Sequence, residues 1–260
     1  MIIDFHTHIF PEKISAKGVD YIGDFYGFNL DTNHGTKSDL DLECEKAGVD
    51  YKVMLSVAIR QEQVSSINNW LSTQIDEHSF GFGTLHPDMD DPIAELERFS
   101  ELGLKGVKYH PDMQEFAIDD PKMYKIYEKI EGRYPVIFHA GDKRYNYSGA
   151  KRIAKILDDF PNMTLVAAHL GGYTEWKDAE RYLAGRDVYY DTSSAITFLP
   201  PERARQIIMG HRADRILFAT DYPCNTQSTE LETFRSLGLS DELCEKILWK
   251  NGAQMLGIIK

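Results

Sequence analysis

The chain is expected to fold as one (β/α)₈ barrel domain over residues 1–260, and three observations point there. Short β-branched or apolar runs alternate with longer amphipathic stretches along the whole length, the pattern of a parallel sheet crossed by helices. Eight such pairs can be counted, the number that closes a barrel. Ligand-type side chains gather where several of the short runs end, and catalytic groups of such barrels sit at the carboxyl ends of the strands. A doubly wound open sheet is the alternative arrangement of the same elements. At 260 residues with 42% hydrophobic content, the chain can bury a sizeable core.

The first strand is expected over 2–6, in Met1-Ile2-Ile3-Asp4-Phe5-His6-Thr7-His8. Side chains two apart on a strand share a face, so His6 and His8 can reach one ion. Residues 9–38 are long for a βα connection and carry Gly18, Gly23, Gly27 and Gly35. Loops of that length in compact domains are lids or disordered segments, and the aromatics Tyr21, Phe25, Tyr26 and Phe28 favour a packed lid. Further strands are expected over 51–58, 80–85, 106–109, 136–139, 164–169, 188–191 and 215–220. Helices are expected over 40–47, 64–77, 92–102, 121–130, 149–160, 174–183, 200–209 and 230–237. The stretch 241–259 reads as a final helix N-capped by Ser240, with an Asn251-Gly252 turn before a short tail.

A formal charge of −12 argues against non-specific nucleic-acid binding and against docking on an anionic membrane, since both require basic patches. Small-molecule chemistry is favoured. The acidity is spread through stretches such as Asp39-Leu40-Asp41-Leu42-Glu43 and reads as solvated surface. Cys44, Cys224 and Cys244 are too scattered for a disulfide framework, which implies a reducing compartment. No signal-peptide layout and no membrane-length apolar run is seen, so a cytoplasmic location is expected.

The strand endings carry the chemistry: His6-Thr7-His8, Phe138-His139-Ala140-Gly141, Ala168-His169-Leu170-Gly171-Gly172 and Ala219-Thr220-Asp221-Tyr222-Pro223. With these motifs, from Asp4-Phe5-His6-Thr7-His8 to Asn251-Gly252-Ala253, the chain resembles the amidohydrolase superfamily, in its amidohydrolase-related branch of metal-dependent hydrolases and decarboxylases. The resemblance implies that His6, His8 and His139 hold one divalent ion, Zn²⁺ first and Mn²⁺ or Fe²⁺ as alternatives. It further implies that Asp221 is a ligand or water-orienting carboxylate and that His169 stands close by. In those roles Asp221 shuttles a proton, and His169 polarises a carbonyl or helps to deprotonate water. The expected activity is hydrolysis of a small-molecule amide, ester or lactone. Its rival is a non-oxidative decarboxylation, and a catalytically silent metal- or ligand-binding barrel is the remote third reading. A homodimer is the default by resemblance.

Lys108 ends the fourth strand in Gly106-Val107-Lys108-Tyr109-His110-Pro111. In some members of the superfamily a lysine there is carboxylated and bridges two metals. The simpler functional reading has Lys108 or His110 pairing with an anionic group of the substrate; a salt bridge at the barrel rim is the structural one. Arg144, soon after His139, binds a substrate carboxylate or is a solvated charge. His86 follows the third strand as a pocket candidate, His34, His78 and His211 read as surface residues, and Cys224 reads as a structural thiol near Asp221. Tyr145, Tyr147, Tyr173 and Trp176 either receive a flat substrate or pack the rim.

Overall fold

In a computed structural model of the chain, residues 1–30 and 35–259 are described, and eight parallel strands among them follow one another in chain order. β1 (Ile3–His8) leads to α1 (Ser15–Tyr26) and α2 (Lys37–Ala47), β2 (Tyr51–Leu55) to α3 (Val64–Ser72), and β3 (Ser79–Thr84) to α4 (Pro92–Arg98). β4 (Gly106–Tyr109) leads to α5 (Pro111–Gln114) and α6 (Pro121–Ile130), and β5 (Val136–Phe138) to α7 (Ala150–Asp159). β6 (Leu165–Ala167), β7 (Tyr189–Asp191) and β8 (Ile216–Leu217) precede α8 (Trp176–Tyr182), α9 (Pro201–Met209) and α10 (Gln227–Ser236). The last strand returns to the first: Phe5 N donates to Phe218 O at 2.9 Å and His8 N to Tyr222 O at 2.7 Å. Sequential order and this closure are those of a (β/α)₈ barrel; a doubly wound sheet reverses direction at a switch point.

Local sequence explains the starts of the helices. Thr36 and Asp39 form a reciprocal capping box on α2, while Asp91 and Asp120 accept backbone N–H bonds before α4 and α6, each of which has proline in its first turn. Two apolar layers result. Ile3, Phe5, Val53, Leu55, Phe82, Ile137, Val166 and Leu217 belong to one cluster inside the barrel. The residues alternating with them, such as Met54, Val107 and Tyr190, pack in the larger cluster with the helices.

β1 departs from this alternation where the function needs it. Its pairing with β2 runs Asp4 to Lys52 and then Thr7 to Met54, so β1 holds one extra residue in that interval. A bulge re-aims the side chains beyond it. Phe5 stays with Ile3 in the interior cluster, and the extra residue brings His6 and His8 to the same face, their Nε2 atoms 3.1 Å apart.

The packed lid expected within residues 9–38 has a helical core, α1, which places Tyr21 and Tyr26 against the cavity. Its glycines resemble loop punctuation, yet a Cβ on Gly18 would lie 2.6 Å from the Phe10 ring and one on Gly23 2.6 Å from Phe28 O, so close packing selects them. Other expectations need correction. Asn251-Gly252 is no turn. Ser240 caps a helical run through α11 (Asp241–Glu245), a wider-wound stretch (Lys246–Lys250) and α12 (Asn251–Met255). Asn251 there donates to the carbonyls of Ala213 at 3.0 Å and Ile216 at 2.7 Å, tying the helix to β8. His211 is buried, not superficial: its ring stacks on Tyr190 at 3.9 Å and its Nε2 lies 2.8 Å from Val188 O. His34 lies outside the described residues. Among the described residues no helix is long and apolar enough to cross a membrane.

Candidate functional site

The strand predicted at 164–169 outruns β6 because its last residue, His169, is left-handed, and left-handed residues gather at this end of the barrel. His169 (φ 62°), Leu170 (φ 52°), Ser194 (φ 44°) and Asp221 (φ 62°) all adopt that conformation after β6, β7 and β8. Each such non-glycine residue costs about 1–2 kcal/mol, and their concentration at one rim marks a built site. Tertiary bonds hold them: Asp221 N donates to His6 O at 2.8 Å, and His169 N to Asp191 Oδ1 at 2.8 Å.

Hydrogen-bond partners assign the imidazole tautomers. His6 Nδ1 lies 2.9 Å from Asp191 Oδ2, so Nδ1 carries the hydrogen and Nε2 presents a lone pair. His8 Nδ1 donates to Leu55 O at 3.1 Å, with the same result. His169 Nδ1 donates to Ser193 O at 2.9 Å and His139 Nε2 to Gly141 O at 3.0 Å, which turns His169 Nε2 and His139 Nδ1 into acceptors facing each other at 2.9 Å. Two pairs of imidazole lone pairs therefore oppose each other in a buried space. Asp221 Oδ1 stands 3.3 Å from His6 Nε2 and 3.5 Å from His8 Nε2. Acceptors packed like this fit a cation.

Among the described residues, His6, His8 and Asp221 form one group whose ligand atoms lie within 4.8 Å of one another, and His6, His169 and Asp191 form another. The second is explained by Asp191 orienting His6 from behind. His139 belongs to neither group and meets the site through His169. Burial alone would raise the Asp221 pKa, but His6, His8 and His169 pull it well below the usual carboxylate range. Burial and Lys108 hold His6 well below its ordinary value, while burial and the neighbouring His110 and His169 do the same to His139. An ionised Asp221, with His6 and His139 pushed toward the neutral form, suits the deprotonated ligands that metal binding requires.

The remaining candidates separate clearly. Lys108 is buried with its Nζ 3.1 Å from His6 Nε2, and no carboxylate among the described residues pairs with it, so the salt-bridge reading fails. Burial brings its pKa down to about 8 against the pull of Asp221 and Asp191. His110 N-caps α5 through Nδ1, stacks on His139 at 4.0 Å, and lines the same cavity as Lys108. Arg144 is not brought to the cavity: its guanidinium is spent on Asp142, at 2.6 Å, and on the carbonyl of Phe25 at the end of α1. Its plane lies over Phe25 and Tyr26. Tyr145 stacks on Phe25 at 5.6 Å and Trp176 Nε1 donates to His169 O at 2.9 Å, so these aromatics pack the rim. His86 is buried but does not line the cavity, and burial with the nearby Asp221 pushes the Cys224 thiol well up.

Asp191 and Tyr26 escape the sequence reading, as do Ser193 and Ser194, which hold His169 and Asp221. Asp191 ends β7, and the strand-end criterion applied to Asp221 selects it equally well. Tyr26 was legible only as a lid aromatic, yet its hydroxyl reaches His110 Nε2 at 2.8 Å and His139 Nδ1 at 3.4 Å. That contact spans 113 residues of sequence, and no local pattern encodes it.

The amidohydrolase family profile matches residues 3–258. The chain belongs to the amidohydrolase family. Members of the family are enzymes that act on small molecules with the help of a divalent metal ion. No curated protein matches this family member by sequence. Among solved structures it is similar to the 5-carboxyvanillate decarboxylase LigW from Sphingomonas paucimobilis, at 15% identity and a TM-score of 0.73 over 98% of each chain. It is similar to a Pseudomonas putida chain assigned as a 2-pyrone-4,6-dicarboxylic acid hydrolase, at 17% identity and a TM-score of 0.70 over 100% of this chain and 98% of that one. A third is a dihydroxybenzoic acid decarboxylase from Polaromonas sp. JS666 with bound manganese, at 16% identity and a TM-score of 0.72 over 99% of this chain and 97% of that one. At these identities the likeness establishes the shared barrel.

Proposed function

We propose that this amidohydrolase-family chain hydrolyses an amide, ester or lactone of a small molecule, with His6, His8, His139 and Asp221 holding one divalent ion. Zn²⁺ is the first choice for three imidazoles and a carboxylate, and Mn²⁺ or Fe²⁺ suit the same donors. The observation that carries the reading is the ionised Asp221 carboxylate 3.3 and 3.5 Å from two outward-facing imidazole lone pairs. When bound there, a divalent ion supplies Lewis-acid polarisation and makes water acidic enough to react at neutral pH.

The protein's own groups do the rest. Asp221 accepts the proton of the attacking water and returns it to the departing nitrogen or oxygen, serving as base and then acid. Ser194 Oγ donates to Asp221 Oδ2 at 2.6 Å and keeps Oδ1 aimed at the histidines. His169 Nε2, an acceptor by its tautomer, assists in taking a proton. The donors available to a developing oxyanion are Lys108 Nζ and Tyr26 Oη, both buried enough to act in a low dielectric.

The same Lys108 favours a second reading. A buried ammonium without a carboxylate partner among the described residues offers a seat for the carboxylate of a substrate that loses CO₂. Turnover in ¹⁸O-labelled water decides between them. Hydrolysis places one label in the product acid, whereas CO₂ release with an unlabelled product overturns it in favour of decarboxylation.

A further inference from the structure

The cavity that contains the histidines, about 820 Å³, is far larger than the metal-ligand cluster needs. It lies in the upper part of the range of roughly 300–1,000 Å³ typical of small-molecule sites. Its outer part has two walls. On one side the positions Ile14, Tyr21 and Ile22 fall on one face of α1 and its leading turn; on the other, Ile67 and Trp70 fall on one face of α3. These walls have not closed on each other: Ile14 is 50% and Tyr21 44% exposed.

Charge along the cavity is equally unbalanced. The chain carries 41 acidic against 29 basic residues, yet among the described lining residues Asp221 is the one carboxylate and Lys17, Arg60 and Lys108 are cations. Lys17 and Arg60 belong to the two outer walls, on α1 and immediately before the turn Gln61–Gln63 that leads into α3. Both are exposed, and among the described residues neither forms an ion pair. Other exposed cations are unpaired too among the described residues, such as Lys13, Lys105 and Arg205, so what sets Lys17 and Arg60 apart is that both line the cavity.

We infer that the substrate is an anionic amphiphile: its reacting carbonyl lies at the histidine end, its apolar body between α1 and α3, and a distal carboxylate at Lys17 and Arg60. The inference deepens the hydrolase reading and rests on it for the identity of the reacting group. The apolar walls select length, since each buried methylene adds about three- to fourfold in affinity. The two cations select a charged far end, and because they are exposed their joint effect is about five- to tenfold.

The test is calorimetric titration of the metal-loaded protein with straight-chain α,ω-dicarboxylates of increasing length, against monocarboxylates of equal length. One carboxylate then occupies the histidine end in both series, and only the dicarboxylate has a second for the outer cations. Affinity is expected to rise with chain length in both. At the length that spans the cavity the dicarboxylate should bind five- to tenfold tighter, and a Lys17→Gln/Arg60→Gln double variant should erase that advantage while leaving the monocarboxylate unchanged. No gain with length, no preference for the dicarboxylate, or a preference that survives in the double variant overturns the inference. Because binding is read without turnover, failure of the hydrolase reading in labelled water shows separately: it changes the reacting group and leaves this result standing.

Discussion

The two ends of the cavity are built on opposite principles. At the inner end the site groups are held from behind: Asp191 holds His6 and the His169 amide, Ser194 holds Asp221, and Leu55, Ser193 and Gly141 carbonyls fix three further imidazoles. At the outer end Lys17 and Arg60 are unpaired among the described residues, and Ile14 and Tyr21 stay half in water. Chemistry needs preorganised groups, because a donor that must reorient during reaction loses its advantage. Recognition of a flexible ligand needs surface that remains available until the ligand arrives. Inner changes should therefore strike turnover and metal content, and outer changes affinity.

The largest effect is expected from a His6→Ala/His8→Ala double variant. Metal measured by plasma mass spectrometry should fall from about one equivalent per chain to background, with turnover lost. About two equivalents in the wild type would instead indicate a carboxylated Lys108 bridging two ions. Next, Asp221→Asn should lower kcat by about 10²–10⁴-fold with little change in KM. An equal loss confined to KM would move Asp221 from the inner kind of residue to the outer. Asp191→Asn, which touches the ligand set only through His6, should weaken metal affinity by about 10–100-fold in a competition titration while the fold persists by circular dichroism.

The smallest effect tests what the inner commitments cost in stability. Burial raises Asp112 to about 6, opposed by the hydroxyl of Ser148, and its Oδ1 has no partner among the described residues. A carboxyl whose folded pKa is raised contributes stability fully present below its unfolded value near 3.8, and loses it as pH rises through about 6. Asp112→Asn remains neutral and keeps the bond to Ser148. The variant should match the wild type near pH 4 and gain about 1–3 kcal/mol in denaturant midpoints by pH 7. A gap that opens toward low pH would show that the native carboxylate is stabilised there.

Legibility followed the range of the interactions. β4 and α6 are legible to the residue because their boundaries are local: Gly106 opens the strand, and Asp120 with Pro121 opens the helix. The end of β6 is overextended by the sequence pattern because His169 takes a left-handed turn that a distant bond to Asp191 sustains. α1 was hidden by glycines chosen for contact with Phe10 and Phe28. Arg144 showed a suitable charge in a suitable loop, and nothing in its neighbourhood announced that Asp142 and the α1 carbonyl had taken it.

By itself the sequence determined the barrel and the identity of its donors, because strand periodicity, helix caps and the placing of histidines at strand ends are written within a few residues of each position. Which nitrogen of each histidine faces the site was decided by the tertiary structure. So were the bulge that turns His6 and His8 to the inner face that Phe5 already occupies, and the descent of Tyr26 onto His110. Each depends on partners brought together from distant parts of the chain by the closure of the sheet.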